Sequence, residues 1–257
     1  DGTTELYVEI EKWNHANGLA WLHVKVPSVS SSADTGLYLY YDSAHVDNDS
    51  YVGDTTDAVV HNVWDSTFKA VWHMAQDPNG DGADAIKEST SNASDLTPGG
   101  SMTTADLLEV ETGGALQFDG SDDYLHTDGN DTNFNLGADD FCIEFLVNWP
   151  VMPTTSTWKD FAAFGSPADE RRSFIIDFYQ QSSTWQFFRM HTFSDGYAAT
   201  QISSQASLGA VTLAVDTDYV YALRRVSGTI YFYLNGALMG SSASIGAQSI
   251  YENTADP

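Results

Sequence analysis

Apolar residues in this chain recur at every second position and almost nowhere at helical spacing. Leu6, Val8 and Ile10 alternate with Tyr7 and Glu9, and Leu22, Val24 and Val26 alternate with Trp21, His23 and Lys25 until Pro27 ends the run. Successive side chains of an extended strand point to opposite faces, so this period makes half-buried strands and excludes a helical bundle. Leu37-Tyr38-Leu39-Tyr40-Tyr41, after the Ser-rich turn at Ser30 to Ser32, reads as a third strand. The three predict a small meander within residues 1–45.

Residues 46–66 are polar and irregular, which places a domain boundary there: a partial small β domain over 1–66 and a larger β domain over 67–257. In the second, strands are expected at Val71–Met74, Ala115–Phe118, Tyr124–His126, Phe141–Trp149, Phe161–Phe164 and Phe174–Tyr179. Further strands are expected at Trp185–Met190, Val211–Val215, Tyr219–Val226 and Thr229–Leu234. Ser227-Gly228 and Asn235-Gly236 are hairpin turn signals, because Gly accepts positive φ. Thr103 to Leu108 fits one short helical turn. Many short strands with regular turns predict an all-β sandwich or barrel.

Charge bounds the partners. The chain carries 36 acidic and 10 basic residues, a net charge of −26. Such a surface repels phosphates, which argues against DNA or RNA as a partner. A saline habitat, bound cations and solubility are all open as causes of the acidity. No apolar run approaches the ~18 residues of a membrane span. The single cysteine, Cys142, rules out an internal disulfide and is expected to be a buried, inert thiol. No signal peptide pattern is present. The start at Asp1-Gly2 and the end at Asp256-Pro257 lead to the expectation of a processed or partial chain.

The sharpest local motif is Asp77-Pro78-Asn79-Gly80-Asp81-Gly82-Ala83-Asp84-Ala85-Ile86-Lys87-Glu88. It has oxygen ligands at alternate positions, a turn glycine at the sixth and a glutamate at the twelfth, as a calcium loop does. Asp77, Asn79, Asp81 and Glu88 are the expected ligands, with the Ala83 carbonyl. No helices flank the loop and Asp84 replaces the usual apolar eighth residue, so EF-hand geometry is not expected. A site shared with Asp119, Asp122 or Asp123 of the Asp119-Gly120-Ser121-Asp122-Asp123 run is the alternative; a polar hairpin turn is the plain reading of that run.

Enzyme signatures are missing. The seven histidines form no His-Glu-x-x-His pair, and no Gly-x-Ser-x-Gly elbow occurs. A glycosidase needs two carboxylates facing one cleft, yet strand 141–145 carries only Glu144 and strand 174–178 only Asp177. Aromatic rings that stack on sugars are a better fit, with Trp158, Tyr179, Trp185 and Tyr197 as candidates. Arg171-Arg172 and Arg224-Arg225 are expected to form salt bridges.

Two stretches resemble known families. Glu9 to Asn14, Ala20-Trp21-Leu22-His23-Val24-Lys25-Val26-Pro27 and Leu37 to Tyr41 look like the second half of a bacterial and phage domain of unknown function. Ala70-Val71-Trp72-His73-Met74, Ser89-Thr90-Ser91-Asn92 and Ala115-Leu116-Gln117-Phe118-Asp119-Gly120-Ser121-Asp122-Asp123-Tyr124 resemble the concanavalin A-like, laminin-G-like superfamily, as do Phe141–Phe145 and Ile230–Gly236. The resemblance implies a two-sheet jelly roll, often calcium-bearing and often glycan-binding, found in bacterial surface and phage fibre proteins. The family's closing Asp-Glu strand does not occur before Pro257, so part of the fold is expected to be absent or supplied by another chain. The expectation is therefore a non-enzymatic glycan-binding or adhesion module, extracellular, on a cell surface or on a virion. It would be stabilised by Ca2+ and take a glycan or polysaccharide as partner. Protein partners in a surface or virion assembly are the structural alternative, and polysaccharide hydrolysis the second.

Overall fold

The computed structural model describes residues 4–79, 82–110, 113–127, 131–166, 171–182, 186–208 and 213–252. They are almost entirely strand, turn and loop. The chain divides into two compact units, Asp1–Asp128 and Gly129–Pro257. This division falls later than the boundary read near residue 66. The cause is chemical: Glu9, on the first strand, accepts hydrogen bonds from Trp64 and from Ser89, so residues on both sides of 66 share one unit.

In the first unit, β1 (Val8–Asn14) pairs antiparallel with β2 (Leu19–Val24), and β3 (Val52–Asp54) lies parallel on the other side of β1. The expected third strand at Leu37–Tyr41 does not form. Its five residues are 54–86% exposed and pair with no strand, and Val52–Asp54 takes the place beside β1. An apolar run without a polar alternate face had nothing to bury one side against. Farther on, β4 (Thr97–Gly99) pairs with β7 (Tyr124–His126), and β5 (Leu107–Val110) with β6 (Gly113–Leu116). Thr104–Asp106 is the expected short turn, capped at Thr103. Val71–Met74 yields one bridge, Trp72 to Glu88, instead of a strand.

Glu9 is fully buried in this unit. Burial alone would push its carboxyl up. Hydrogen bonds from Ser89 and Trp64 and the adjacent His73 ring outweigh that and hold it at about 2.

The second unit is a β-sandwich. β9 (Thr157–Ser166), β10 (Arg171–Gln180), β11 (Gln186–Phe193) and β12 (Gln201–Ser207) form one antiparallel sheet in simple order. β8 (Phe141–Asn148) joins β13 (Asp218–Val226), β14 (Thr229–Leu234) and β15 (Ala237–Ser242) in the other, in the order β15-β14-β13-β8. Phe174, Ile176 and Phe178 of β10 and Phe188 and Met190 of β11 share one buried cluster with Tyr221, Leu223, Ile230 and Phe232 of the second sheet. Each such side chain contributes about 1.5–3 kcal/mol by burial. The Ser227-Gly228 and Asn235-Gly236 turns have φ values of 48°, 81°, 50° and 77°, as two-residue hairpins require.

Three expectations are corrected here. Cys142 is exposed. Phe141, Ile143 and Phe145 take the core side of β8, so the alternation turns Cys142 and Glu144 outward. Partial shielding and the Glu144 carboxylate push its thiol up. Leu213 and Ala214 are irregular and Val215 lies in a turn, while residues 211 and 212 fall outside the described set. Among the described residues, the Arg224-Arg225 pair has partners other than carboxylates. Arg225 is buried and donates to the carbonyls of Gly137, Gly246 and Gln248, and Arg224 lies 5.4 Å from the rings of Tyr231 and Tyr233. The Arg171 side chain lies outside the described residues.

Candidate functional site

Alternation gives the β9–β12 sheet a face turned away from the core. Phe174, Ile176 and Phe178 go into the core, so Ile175, Asp177 and Tyr179 face away from it. On β11, Phe188 and Met190 go in, and Phe187, Arg189 and His191 face away. On β12, Ser204 and Ala206 are buried, which turns Ser203 and Gln205 outward. A register shift on β9, opposite Ile176/Asp177, lets Phe161 reach the core while Trp158 and Asp160 stay on the outer side with Tyr179 and Asp177.

Cross-strand register then lays out rows. Trp158, Tyr179 and Phe187 are direct partners on three adjacent strands. The Trp158 and Tyr179 rings are 5.9 Å apart, and Tyr179 and Phe187 stack at 6.4 Å. Trp158 is 61% exposed. The next row is Asp160, Asp177, Arg189 and Gln205. Arg189 Nε donates to Asp177 Oδ1 at 2.7 Å, and its guanidinium lies 4.5 Å from the Tyr179 ring centre. His191 Nε2 sits 3.1 Å from Asp177 Oδ2, and its Nδ1 meets Ser203 Oγ and Gln201 Nε2, each at 2.7 Å.

The two aspartates are driven apart. Burial raises Asp177, but the bonds from His191 and Arg189 outweigh it, and the carboxyl ends below its ordinary value. Asp160 is raised, by burial first and then by the charge of Asp177. Asp160, Arg189 and His191 were not singled out from the sequence. Their grouping depends on strand register, which no local motif reveals.

Of the four aromatic candidates, Trp158 and Tyr179 come together. Tyr197 is about half exposed on a loop whose Gly196 carbonyl bonds Arg172 N, toward the other end of β10. The seven residues from Arg172 to Tyr179 span about 23 Å of strand, so Tyr197 is not part of the row. Trp185 lies outside the described residues.

The acidic loops belong to the first unit. Asp77 Oδ1 accepts from Asn79 N at 2.9 Å. Asp81 lies outside the described residues. Glu88 is buried, and its carboxylate accepts from Thr90 N, Thr90 Oγ1 and Ala93 N. Both its oxygens therefore serve its own loop rather than the Asp77–Asn79 turn. Asp119 Oδ1 accepts from Ser121, Asp122 and Asp123 N, and Ser101 Oγ donates to Asp122 and Asp123. Carboxylate oxygens of Asp119, Asp122 and Asp123 lie within 4.8 Å of one another. A shallow cavity of about 190 Å3 borders Pro78, Asn79, Gly82, Gly99 and Gly100. Gly100, at φ +81°, brings the 98–101 turn against the Asp122 carbonyl, where a Cβ would lie 2.0 Å from that oxygen. Residues of both acidic loops border the 98–102 turn.

No family model matches the chain, and no curated protein matches it. Among solved structures it is similar to residues 221–444 of the S-layer domain-containing protein from Clostridium thermocellum ATCC 27405. The identity is 14% and the TM-score 0.38, over 69% of this chain and 73% of that one. So slight a likeness carries neither fold nor function to this chain. Among the described residues, no helix is long and apolar enough to cross a membrane.

Proposed function

We propose that this chain is a carbohydrate-binding module of an extracellular, cell-surface or virion protein, with the outer face of the β9–β12 sheet as its binding surface. The carrying observation is the Trp158–Tyr179–Phe187 row beside the Asp160–Asp177–Arg189–Gln205 row. Ring faces suit the C–H face of a pyranose, and a fixed guanidinium, carboxylate and amide suit its hydroxyls. Two packed antiparallel sheets are compatible with the concanavalin A-like, laminin-G-like resemblance.

The reading is of binding rather than hydrolysis. A glycosidase nucleophile needs an open carboxylate. Asp177 is 2% exposed and held by Arg189 and His191. Among the described residues of this face, Asp160 is the accessible carboxylate.

Calcium belongs to the same reading, held by Asp119, Asp122 and Asp123 with oxygens of the Asp77–Asn79 turn. The hydrogen bonds described for the three carboxylates come from amides and a hydroxyl, which leave their charge uncancelled. Hard oxygens at this spacing are what calcium takes. The ion would tie the two loops together.

An assembly role is the second reading. β8 is an edge strand of its sheet, with Leu146 61% exposed on the outer side, and such an edge is a template for another chain. A glycan array probed with the wild-type chain and with Trp158→Ala, each with and without chelator, tests the first reading. Binding lost in the variant supports it. Absence of glycan binding, together with concentration-dependent oligomers in sedimentation, favours the second.

A further inference from the structure

A second cluster of chemical groups lies on the β1–β2 face of the first unit. β1 presents Glu9 and Glu11 on one side, two residues apart. His23 of β2 is the register partner of Glu9, and the register shift between Ile10 and Lys12 leaves Glu11 as the bulged residue. His73 enters from the segment beside the Trp72–Glu88 bridge.

The geometry is close. His23 Nε2 is 2.7 Å from Glu11 Oε2, and His73 Nδ1 is 3.6 Å from the same oxygen. The two imidazoles are nearly parallel, with centres 4.7 Å apart. On the far side of the His73 ring, Nε2 lies 3.1 Å from Glu9 Oε1. That contact is short enough for an ion pair, yet the buried nitrogen makes no well-aligned hydrogen bond. Thr55 Oγ1 and Ser89 Oγ donate to Glu9 Oε1, and Trp64 Nε1 to Oε2, so Glu9 is fixed in place.

These facts define a donor set. A His73 ring with its proton on Nε2, toward Glu9, turns the Nδ1 lone pair toward Glu11. An acceptor then faces a carboxylate in a site where the His73 side chain is 8% and the Glu11 side chain 13% exposed. Two acceptors buried against each other repel unless a proton or a metal cation lies between them, and Glu11 Oε2 already meets the His23 ring nitrogen at 2.7 Å. A zinc centre with bonds of about 2.0–2.1 Å has ligand–ligand edges of about 3.3 Å. The separations of 2.7 and 3.6 Å bracket that edge.

We infer that Glu11 Oε2, His23 Nε2 and His73 Nδ1 form a site for a zinc-type divalent transition metal, with Glu9 orienting His73 from behind. Two imidazoles and one carboxylate select such a metal over calcium, which takes oxygen. A carboxylate behind a ligating imidazole is the usual support of such sites. The fourth position opens on the side of His23, whose side chain is 35% exposed, and is left to water. The metal would tie together positions 11, 23 and 73. The inference does not rest on the carbohydrate reading, because it uses neither the β9–β12 face nor the Asp119 loop.

The test is zinc binding by the full chain. After exhaustive chelation and exchange into chelator-free buffer, zinc is added and the metal retained through gel filtration is measured by mass spectrometry. Cobalt substitution reports the geometry by its visible absorption. The expected result is one tightly held equivalent and a tetrahedral-type cobalt band. Both should be lost in His23→Gln and Glu11→Gln, with zinc affinity weakened about 10–100-fold in Glu9→Gln. His45→Gln, at an exposed histidine, should change nothing. Circular dichroism of each metal-free variant shows whether it is folded, and the half-exposed His23 is the substitution least able to unfold the chain. The site is overturned if wild-type protein retains no stoichiometric zinc, or if a folded His23→Gln protein retains as much as wild type.

Discussion

Tyr179 stands directly across from Trp158 on the neighbouring strand, with ring centres 5.9 Å apart and planes inclined by 38°. Because Trp158 is 61% exposed, its ring adds little to the core. Trp158→Ala should therefore leave stability within about 1 kcal/mol of wild type. It should also remove any change in tryptophan emission that a bound glycan produces. Urea titration and fluorescence on the same samples check the two halves.

Arg225 should behave oppositely. It is 2% exposed and its guanidinium donates to three carbonyls. Arg225→Ala removes charge-assisted bonds of about 1.5–3 kcal/mol each and leaves carbonyls unpaired. A loss of at least about 3 kcal/mol is expected, read as a fall in the urea midpoint.

Hairpin turns were legible because their chemistry is local. Ser227-Gly228 and Asn235-Gly236 carry their own φ requirement and fold as read. They differ in surroundings that the sequence does not show. A Cβ on Gly228 would lie 2.0 Å from the Gly246 carbonyl oxygen, whereas one on Gly236 meets nothing within 4 Å. Gly236→Ala should cost only the left-handed backbone penalty of about 1–2 kcal/mol. Gly228→Ala should cost clearly more, which parallel thermal melts would show.

The strand face was partly legible for the same reason. Alternation in Phe141–Phe145 fixes which side chains enter the core, and by that rule Cys142 points out; reading its chemistry as a buried thiol went against its own strand. Leu37–Tyr41 misled because an apolar run states a preference without naming a partner. The Glu88 position fits a twelve-residue loop by spacing, but Thr90 and Ala93 offer its carboxylate closer donors. Glu9 shows the limit most plainly. Its partners Thr55, Trp64 and Ser89 are 46, 55 and 80 residues away, so nothing near it in sequence marks it as buried.

Acid should expose the Asp160–Asp177 pair. Asp177 is lowered when folded, so the unfolded chain binds its proton first. Its stabilisation is complete above an ordinary carboxyl value of about 4 and fades as pH falls below that. Asp160 is raised, so its sign is reversed: stability is lost as pH rises from about 4 through its folded value. Asp160→Asn should therefore melt higher than wild type at pH 7. Asp177→Asn should melt lower at pH 7 and show a flatter loss in acid.

Calcium should matter at the loops of the first unit. At calcium 100-fold above its dissociation constant, a site gains about 2.7 kcal/mol, or about 5–10 °C for a chain of this size. Chelator should lower the melting temperature by that order in wild type and have no effect in Asp119→Asn. Equal chelator effects in both would remove calcium from this loop.

The most direct test of the binding face is a double-substitution cycle. Calorimetry of the best array glycan against wild type, Trp158→Ala, Tyr179→Ala and the double variant measures whether the two rings act as one platform. The prediction is a loss of at least tenfold in each single variant and a double loss that departs from additivity by more than 0.5 kcal/mol. Unchanged affinity in both single variants, with the proteins folded, would contradict a carbohydrate site on this face.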